Sequence, residues 1–174
     1  DDPILQLEAG RFIPNEAGEK LALAVLHPRR LTVYSISSGP SGVHSLEMLY
    51  QHNLGVGGEH FTAYNMCSGP FGHSDADAIC VQSMDGKLQI FEQSMHLISR
   101  RFVTCLLPGP LCYVPKVDAF LTANSAGEVE CYSYKGLAAA GDQMHNSSMR
   151  HDATGFGSSD DVDSLSESSR PEEG

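Results

Sequence analysis

Residues 77–93 read DAICVQSMDGKLQIFEQ. Ile79–Val81 and Lys87–Phe91 are β-rich runs, with Ser83-Met84-Asp85-Gly86 between them. An Asp-Gly pair tolerates the positive φ angles that tight hairpin turns demand, so the stretch predicts a β-hairpin. The same order of apolar strand, polar turn and alternating strand ending in an aromatic occurs twice more. It is found in LALAVLHPRRLTVYS (21–35) and in AFLTANSAGEVECYS (119–133). Tyr34, Phe91 and Tyr132 hold the matching closing position, 57 and 41 residues apart.

Each hairpin is flanked by further strand-like runs. Ile4–Ile13, broken at Gly10, precedes the first, and Leu46–Leu54 follows it. Pro28 cannot donate to a ladder, which places it in the turn His27–Arg30. Phe61–Ser68 precedes the second hairpin, and Arg101–Leu107 is expected to close that unit; Leu111–Val114 opens the third. A strand, a hairpin and a strand within roughly 40–45 residues make the four-stranded blade of a β-propeller. The expected fold is therefore all-β: an incomplete β-propeller of about three four-stranded blades, spanning about 4–54, 61–107 and 111–137. A propeller takes roughly four to eight blades to close, so three leave exposed faces and read as an arc of a larger ring. A β-sandwich with similar strand spacing is the competing architecture.

From Gly136 onward the apolar periodicity is lost. Residues 138–174 are dominated by Ser, Gly, Asp and Glu, which cannot bury enough apolar surface to offset ordering entropy. They are expected to form a disordered acidic tail or an inter-blade insertion. Ser158, Ser164 and Ser169 each have an acidic residue three positions on (Asp161, Glu167, Glu172), the pattern acidophilic kinases favour. Asn146-Ser147-Ser148 formally matches a glycosylation acceptor, expected to be unused.

The chain carries a net charge of −11, of which −6 falls in residues 138–174 and −5 in the first 137. Nucleic acid is excluded as a partner, because phosphate binding needs clustered Lys and Arg. No run approaches the roughly 18 apolar residues of a membrane span. Asp1-Asp2-Pro3 lacks the basic start and apolar core of a signal peptide. With no initiator Met, the sequence reads as a processed chain or an excerpt. The five cysteines, at 67, 80, 105, 112 and 131, are odd in number and form no Cys-x-x-Cys pair. They predict free thiols in a reduced, intracellular protein.

Catalytic patterns are missing from the sequence. There is no Gly-x-Ser-x-Gly elbow and no P-loop, and Gly55-Val56-Gly57-Gly58 has the wrong spacing for a dinucleotide loop. None of the eight histidines pair at the i, i+4 spacing of a zinc helix. Asp75, Asp77 and Asp85 resemble the Asp-x-Asp calcium loops of some propellers, and support the alternative of a metal-binding or hydrolytic propeller. Calcium takes six to eight oxygens, and a further carboxylate in register is missing. A solvated loop and a turn former are the plainer readings. No catalytic, cofactor-binding or metal residue is assigned, and no cofactor is expected.

Ordered segments of the chain resemble a known family. DDPILQLEAGRF (1–12), LALAVLHPRRLTVYS (21–35), LYQHNL (49–54), NMCSGPFG (65–72), ICVQSMDGKLQIFEQ (79–93), LLPGPLCY (106–113) and DAFLTANSAGEVECYSYKGLA (118–138) are similar to the N-terminal propeller of the parathyroid-hormone-responsive Bardet–Biedl family, the ninth subunit of the BBSome. QSMDG, an alternating strand, FEQ and then LLPGPL form a specific combination. The resemblance implies a non-catalytic scaffold in a coat-like adaptor that carries membrane proteins into and out of cilia. It implies other BBSome subunits as partners and, indirectly, a small Arf-like GTPase, the ciliary membrane and membrane-protein cargo. It further implies the cytoplasm, the cilium and the basal body or centrosome region as locations, peripheral to the ciliary membrane. Family members continue into an appendage-like sandwich, a platform and helices. This chain departs from the pattern at the strand before Asp1 and after Ala138. The family offers no catalytic motif to carry over.

Overall fold

The computed structural model describes residues 2–14, 21–39, 42–55, 61–102 and 109–139. Within them the fold is nearly all β. The first sheet holds β1 (Gln6–Gly10), β2 (Ala22–His27), β3 (Arg30–Ser38) and β4 (His44–Asn53), in that spatial order. The second holds β5 (Ala63–Gly69), β6 (Ala78–Ser83), β7 (Lys87–Glu92) and β8 (Met95–Arg101), again in order. The third holds β9 (Cys112–Val114), β10 (Ala119–Ala123) and β11 (Val129–Ser133). All pairings are antiparallel, and each sheet is an up-and-down meander, the topology of a propeller blade.

All three expected hairpins form. In the middle one, Gly86 takes φ 77°, its N–H donates to the Ser83 carbonyl at 3.4 Å, and the Lys87 N–H donates to Ser83 Oγ at 2.9 Å. Pro28 and Arg29 alone make the first turn, between β2 and β3. In the third, Asn124 Oδ1 accepts the Ala126 and Glu128 N–H groups at 2.9 and 3.1 Å, an Asx turn that reverses the chain.

Two readings need correction. The strand closing the second sheet is Met95–Arg101, not Arg101–Leu107. It follows β7 through a two-residue turn in which Gln93 adopts φ 50°, a conformation that glycine or asparagine usually marks. Residues 103–108, with Cys105, lie outside the described residues. The expected tail also begins too early. Residues 134–139 are helical, Leu137 is buried, and Ala138 packs against the neighbouring core. The third sheet has three strands among the described residues, so the expected four-stranded third blade is seen without its fourth. The remainder of the expected tail, with Asn146, Ser158, Ser164 and Ser169, lies outside the described residues.

The sheets stack face to face, with one core in each gap. Period-2 alternation points Ala22, Ala24 and Leu26 of β2 and Leu31 and Val33 of β3 towards the second sheet, where they meet Ala63, Met66, Ile79 and Val81. Phe12 and Phe61 complete that core. The opposite face of the second sheet sends Cys67, Cys80, Leu88, Ile90 and Ile98 against Phe120, Phe71 and Leu137. A sheet covered on both faces reads as continuous apolar runs, and every residue of β6 is buried. A Cβ at Gly69 would lie 2.5 Å from Tyr113 Cδ1, a measure of how closely the second and third sheets approach. Cys67 and Cys80 face each other in register as free thiols, and Cys112 and Cys131 are also free. Contact with Cys80, then burial, pushes the Cys67 thiol up, which holds it in the unreactive protonated form.

Candidate interaction surfaces

The innermost strands join the sheets through side chains that imitate a missing strand neighbour. On β1, Gln6 Oε1 accepts the Met66 N–H at 2.9 Å while its Nε2 donates to the Met66 carbonyl at 2.8 Å. Glu8 Oε1 accepts from the Ser68 N–H at 2.9 Å and from its hydroxyl at 2.6 Å. Both pairs span 60 residues of sequence. On β5, Asn65 Nδ2 donates in turn to the Gly109 carbonyl ahead of β9. The second gap has its own clasp. Asp118 takes φ 47°, tolerated by aspartate, and its Oδ1 accepts the Gly72 N–H at 3.0 Å and the Tyr113 hydroxyl at 2.8 Å. Burial, then the Asp118 hydrogen bond, raises the Tyr113 phenol above its ordinary range.

The three candidate carboxylates do not converge. Asp77 belongs to the first gap: its Oδ2 accepts the Arg11 N–H at 2.8 Å, and its own N–H donates to the Arg11 carbonyl at 2.9 Å. Asp85 stays in its turn, accepting from Ser83 Oγ and, at 2.9 Å, from Arg101 Nη2, with Lys87 Nζ 3.6 Å away. Desolvation alone would raise its pKa, but the Ser83 hydroxyl, Lys87 and Arg101 together hold the carboxyl below the usual 3.8. Asp75 is exposed on a bend. Among the described residues no three His, Cys, Asp or Glu side chains are grouped to hold a metal ion. Each engaged carboxylate is occupied by a structural partner, so the hydrolytic or metal-binding reading has no assembled site there.

His52 crosses the first gap at its outer rim. It is 8% exposed, and its Nε2 lies 2.6 Å from the Gln93 carbonyl, to which it donates. Burial lowers its pKa from 6.5, the Gln93 bond partly opposes this, and His96 lowers it further. The unfolded chain therefore takes up a proton near pH 6.5 that the folded chain refuses until lower pH. Stability present above 6.5 is lost as the pH falls through the depressed folded value. Denaturation midpoints measured from pH 7.5 to 5 are expected to fall more steeply for the native chain than for His52→Gln, by at most about 1.4 kcal/mol per pH unit. Parallel profiles would show that His52 does not couple protons to folding.

The outermost faces carry apolar side chains with no cover among the described residues. On the first sheet Tyr34 stands opposite Met48 and Ile36 opposite Leu46. Met48 is 59% exposed, Leu46 56% and Ile36 46%, and Leu7 projects from β1 on the same face. On the third sheet Val129 is 77% exposed. The first of these faces repeats the apolar alternation that the second sheet buries.

The family model described as PTHB1 N-terminal matches residues 1–165. The chain belongs to the PTHB1 family. Protein PTHB1 of Xenopus laevis is 46% identical over 147 residues, covering 81% of this chain and 16% of that protein. Protein PTHB1 of Mus musculus is 41% identical over 162 residues, covering 90% of this chain and 18% of that protein. The Homo sapiens protein of the same name is 44% identical over 147 residues, with 81% and 16% covered. The chain thus spans 16–18% of the length of these curated relatives. In PTHB1 terms the described part is a run of N-terminal sheets whose inner contacts are well made and whose first sheet has an apolar outer face. Gln6, Glu8, Arg11 and Asp118, the residues that clasp the sheets, carry no local signal in the sequence. Their partners become visible only once the sheets are stacked.

Proposed function

We propose that this PTHB1-family chain is a non-catalytic scaffold segment of the BBSome, the coat-like complex that traffics membrane proteins to and from cilia. The observation that carries the reading is the apolar outer face of the first sheet, with Leu7, Ile36, Leu46 and Met48 exposed together, since surfaces of this kind mark protein contacts. Family membership and the occupied state of Asp77 and Asp85 support it. In this reading the direct partners are other BBSome subunits. The small Arf-like GTPase, the ciliary membrane and membrane-protein cargo are reached through the assembled complex. The place of action is the cytoplasm, the basal body or centrosome region and the cilium.

Tagged full-length protein purified from ciliated cells is expected to bring down other BBSome subunits in fixed proportion and to localise at the base of the cilium. Recovery without any of those subunits, from cells that contain them, would sink the proposal.

A further inference from the structure

The outer rim of the first gap opens into a cleft of about 520 Å³ between the end of β4 and the strands β7 and β8. Gln89 lies in its lining and is only 5% exposed. Its Oε1 is buried and has no hydrogen-bond partner among the described residues. Native structures rarely leave such an oxygen unpaired, so it asks for a donor from outside.

Two imidazoles line the same cleft. His52 Nε2 lies 2.6 Å from the Gln93 carbonyl, and His96 Nε2 lies 3.0 Å from the Ile98 carbonyl. A carbonyl oxygen only accepts, so each ring carries its proton on Nε2, and in the neutral form each Nδ1 keeps a lone pair. Phe91 adds an aromatic ring, its centroid 4.4 Å from that of His52 and 5.0 Å from that of His96. No Lys, Arg, Asp or Glu is among the described residues that line the cleft.

With Gln51, Asn53 and Ser99 also in the lining, the chemistry is one of uncharged polar groups and ring faces, with the Gln89 oxygen lacking a donor, set in a protein of net charge −11 that attracts cations. An anion finds no cationic donor here. A compact ammonium is attracted to a ring face but has no plane to stack on it and no fixed fork of donors. A guanidinium offers several N–H donors in one plane and stacks on aromatic faces. We propose that this cleft receives the guanidinium of an arginine side chain presented by a partner protein. The proposal stands on the cleft alone and does not require the partner to be a BBSome subunit.

The test is calorimetric titration of the protein with the tripeptide acetyl-Gly-Arg-Gly-amide. Its counterparts carry citrulline, the uncharged isostere, or lysine in place of arginine. Saturable binding of the arginine peptide is expected, with roughly tenfold weaker binding of the citrulline and lysine peptides and a similar loss in Gln89→Leu, where a donor would meet no acceptor. Gln89→Leu leaves the net charge unchanged, so diffuse attraction to an acidic protein would survive it and overturn the proposal. Should that variant fail to fold, His96→Ala, at an exposed position, is expected to weaken the arginine peptide several-fold while leaving the melting temperature in place. Equal affinity for arginine and citrulline, or undiminished binding by both variants, would also overturn it. Free arginine binding as tightly as the tripeptide would identify a small-molecule site in place of a protein contact.

Discussion

Phe120→Ala is expected to destabilise the folded sheets by about 3–5 kcal/mol, the range for losing a large buried aromatic. Phe120 sits on β10 with no solvent exposure, its ring centroid 4.7 Å from Phe71 and 5.3 Å from Tyr113. Both contacts are edge-to-face or tilted, the arrangements aromatic quadrupoles favour. Phe71 and Tyr113 cannot close the resulting cavity, since one is anchored by a 3₁₀ turn and the other by its hydroxyl on Asp118. Denaturant titration measures the loss, and limited proteolysis locates it: cleavage in the third sheet should precede cleavage in the first. Val129→Ala, on the exposed face of the same sheet, is the control and should change stability by no more than about 0.5 kcal/mol. A Phe120 effect as small as that of the control would mean that the third sheet is not held by this core.

The second large effect is expected from Gln6→Leu. Leucine fills similar space but cannot pair with the Met66 N–H and carbonyl, and both then lack the partners they have at 2.9 and 2.8 Å. Two backbone groups left unpaired in a part-buried gap cost together about 2–3 kcal/mol. Hydrogen exchange supplies the specific readout, because the Met66 amide should lose protection while amides of β10 keep theirs. Protection at Met66 that survives the change would show that the glutamine amide is not what holds that strand. Glu8 stays in place in this variant, so the Ser68 amide reports whether the two latches act independently.

The parts of the fold that could be read from the chain are those written in short-range chemistry. Asp85-Gly86 announced the middle turn, and Pro28 excluded itself from a strand. The alternating runs ending in Tyr34, Phe91 and Tyr132 marked the second strand of each hairpin. β8 was placed six residues too late because Gln93-Ser94 carries no glycine or asparagine, although Gln93 takes the left-handed conformation all the same. Asp77 illustrates the limit for sites. Its spacing from Asp75 suggested a ligand pair, but its carboxylate serves the backbone of Arg11, 66 positions away. The cleft beside Gln89 was equally hidden. Its residues come from two sheets, and all but Gly55 read alone as ordinary strand positions.

The second sheet, covered on both faces, has a consequence for how the chain is made. As the ribosome releases it, the face towards the first sheet finds its partner at once, because β1–β4 are already outside. The other face waits for β9–β11. Between the end of β8 at Arg101 and the end of β11 at Ser133 lie 32 residues, roughly 2–6 s of synthesis at typical rates. During that interval Cys80, Ile90 and Ile98 stand in water, and a chaperone or a wrong neighbour can meet them first. A stall in translation within this window is therefore expected to be more harmful to the nascent protein than one before β5 has emerged.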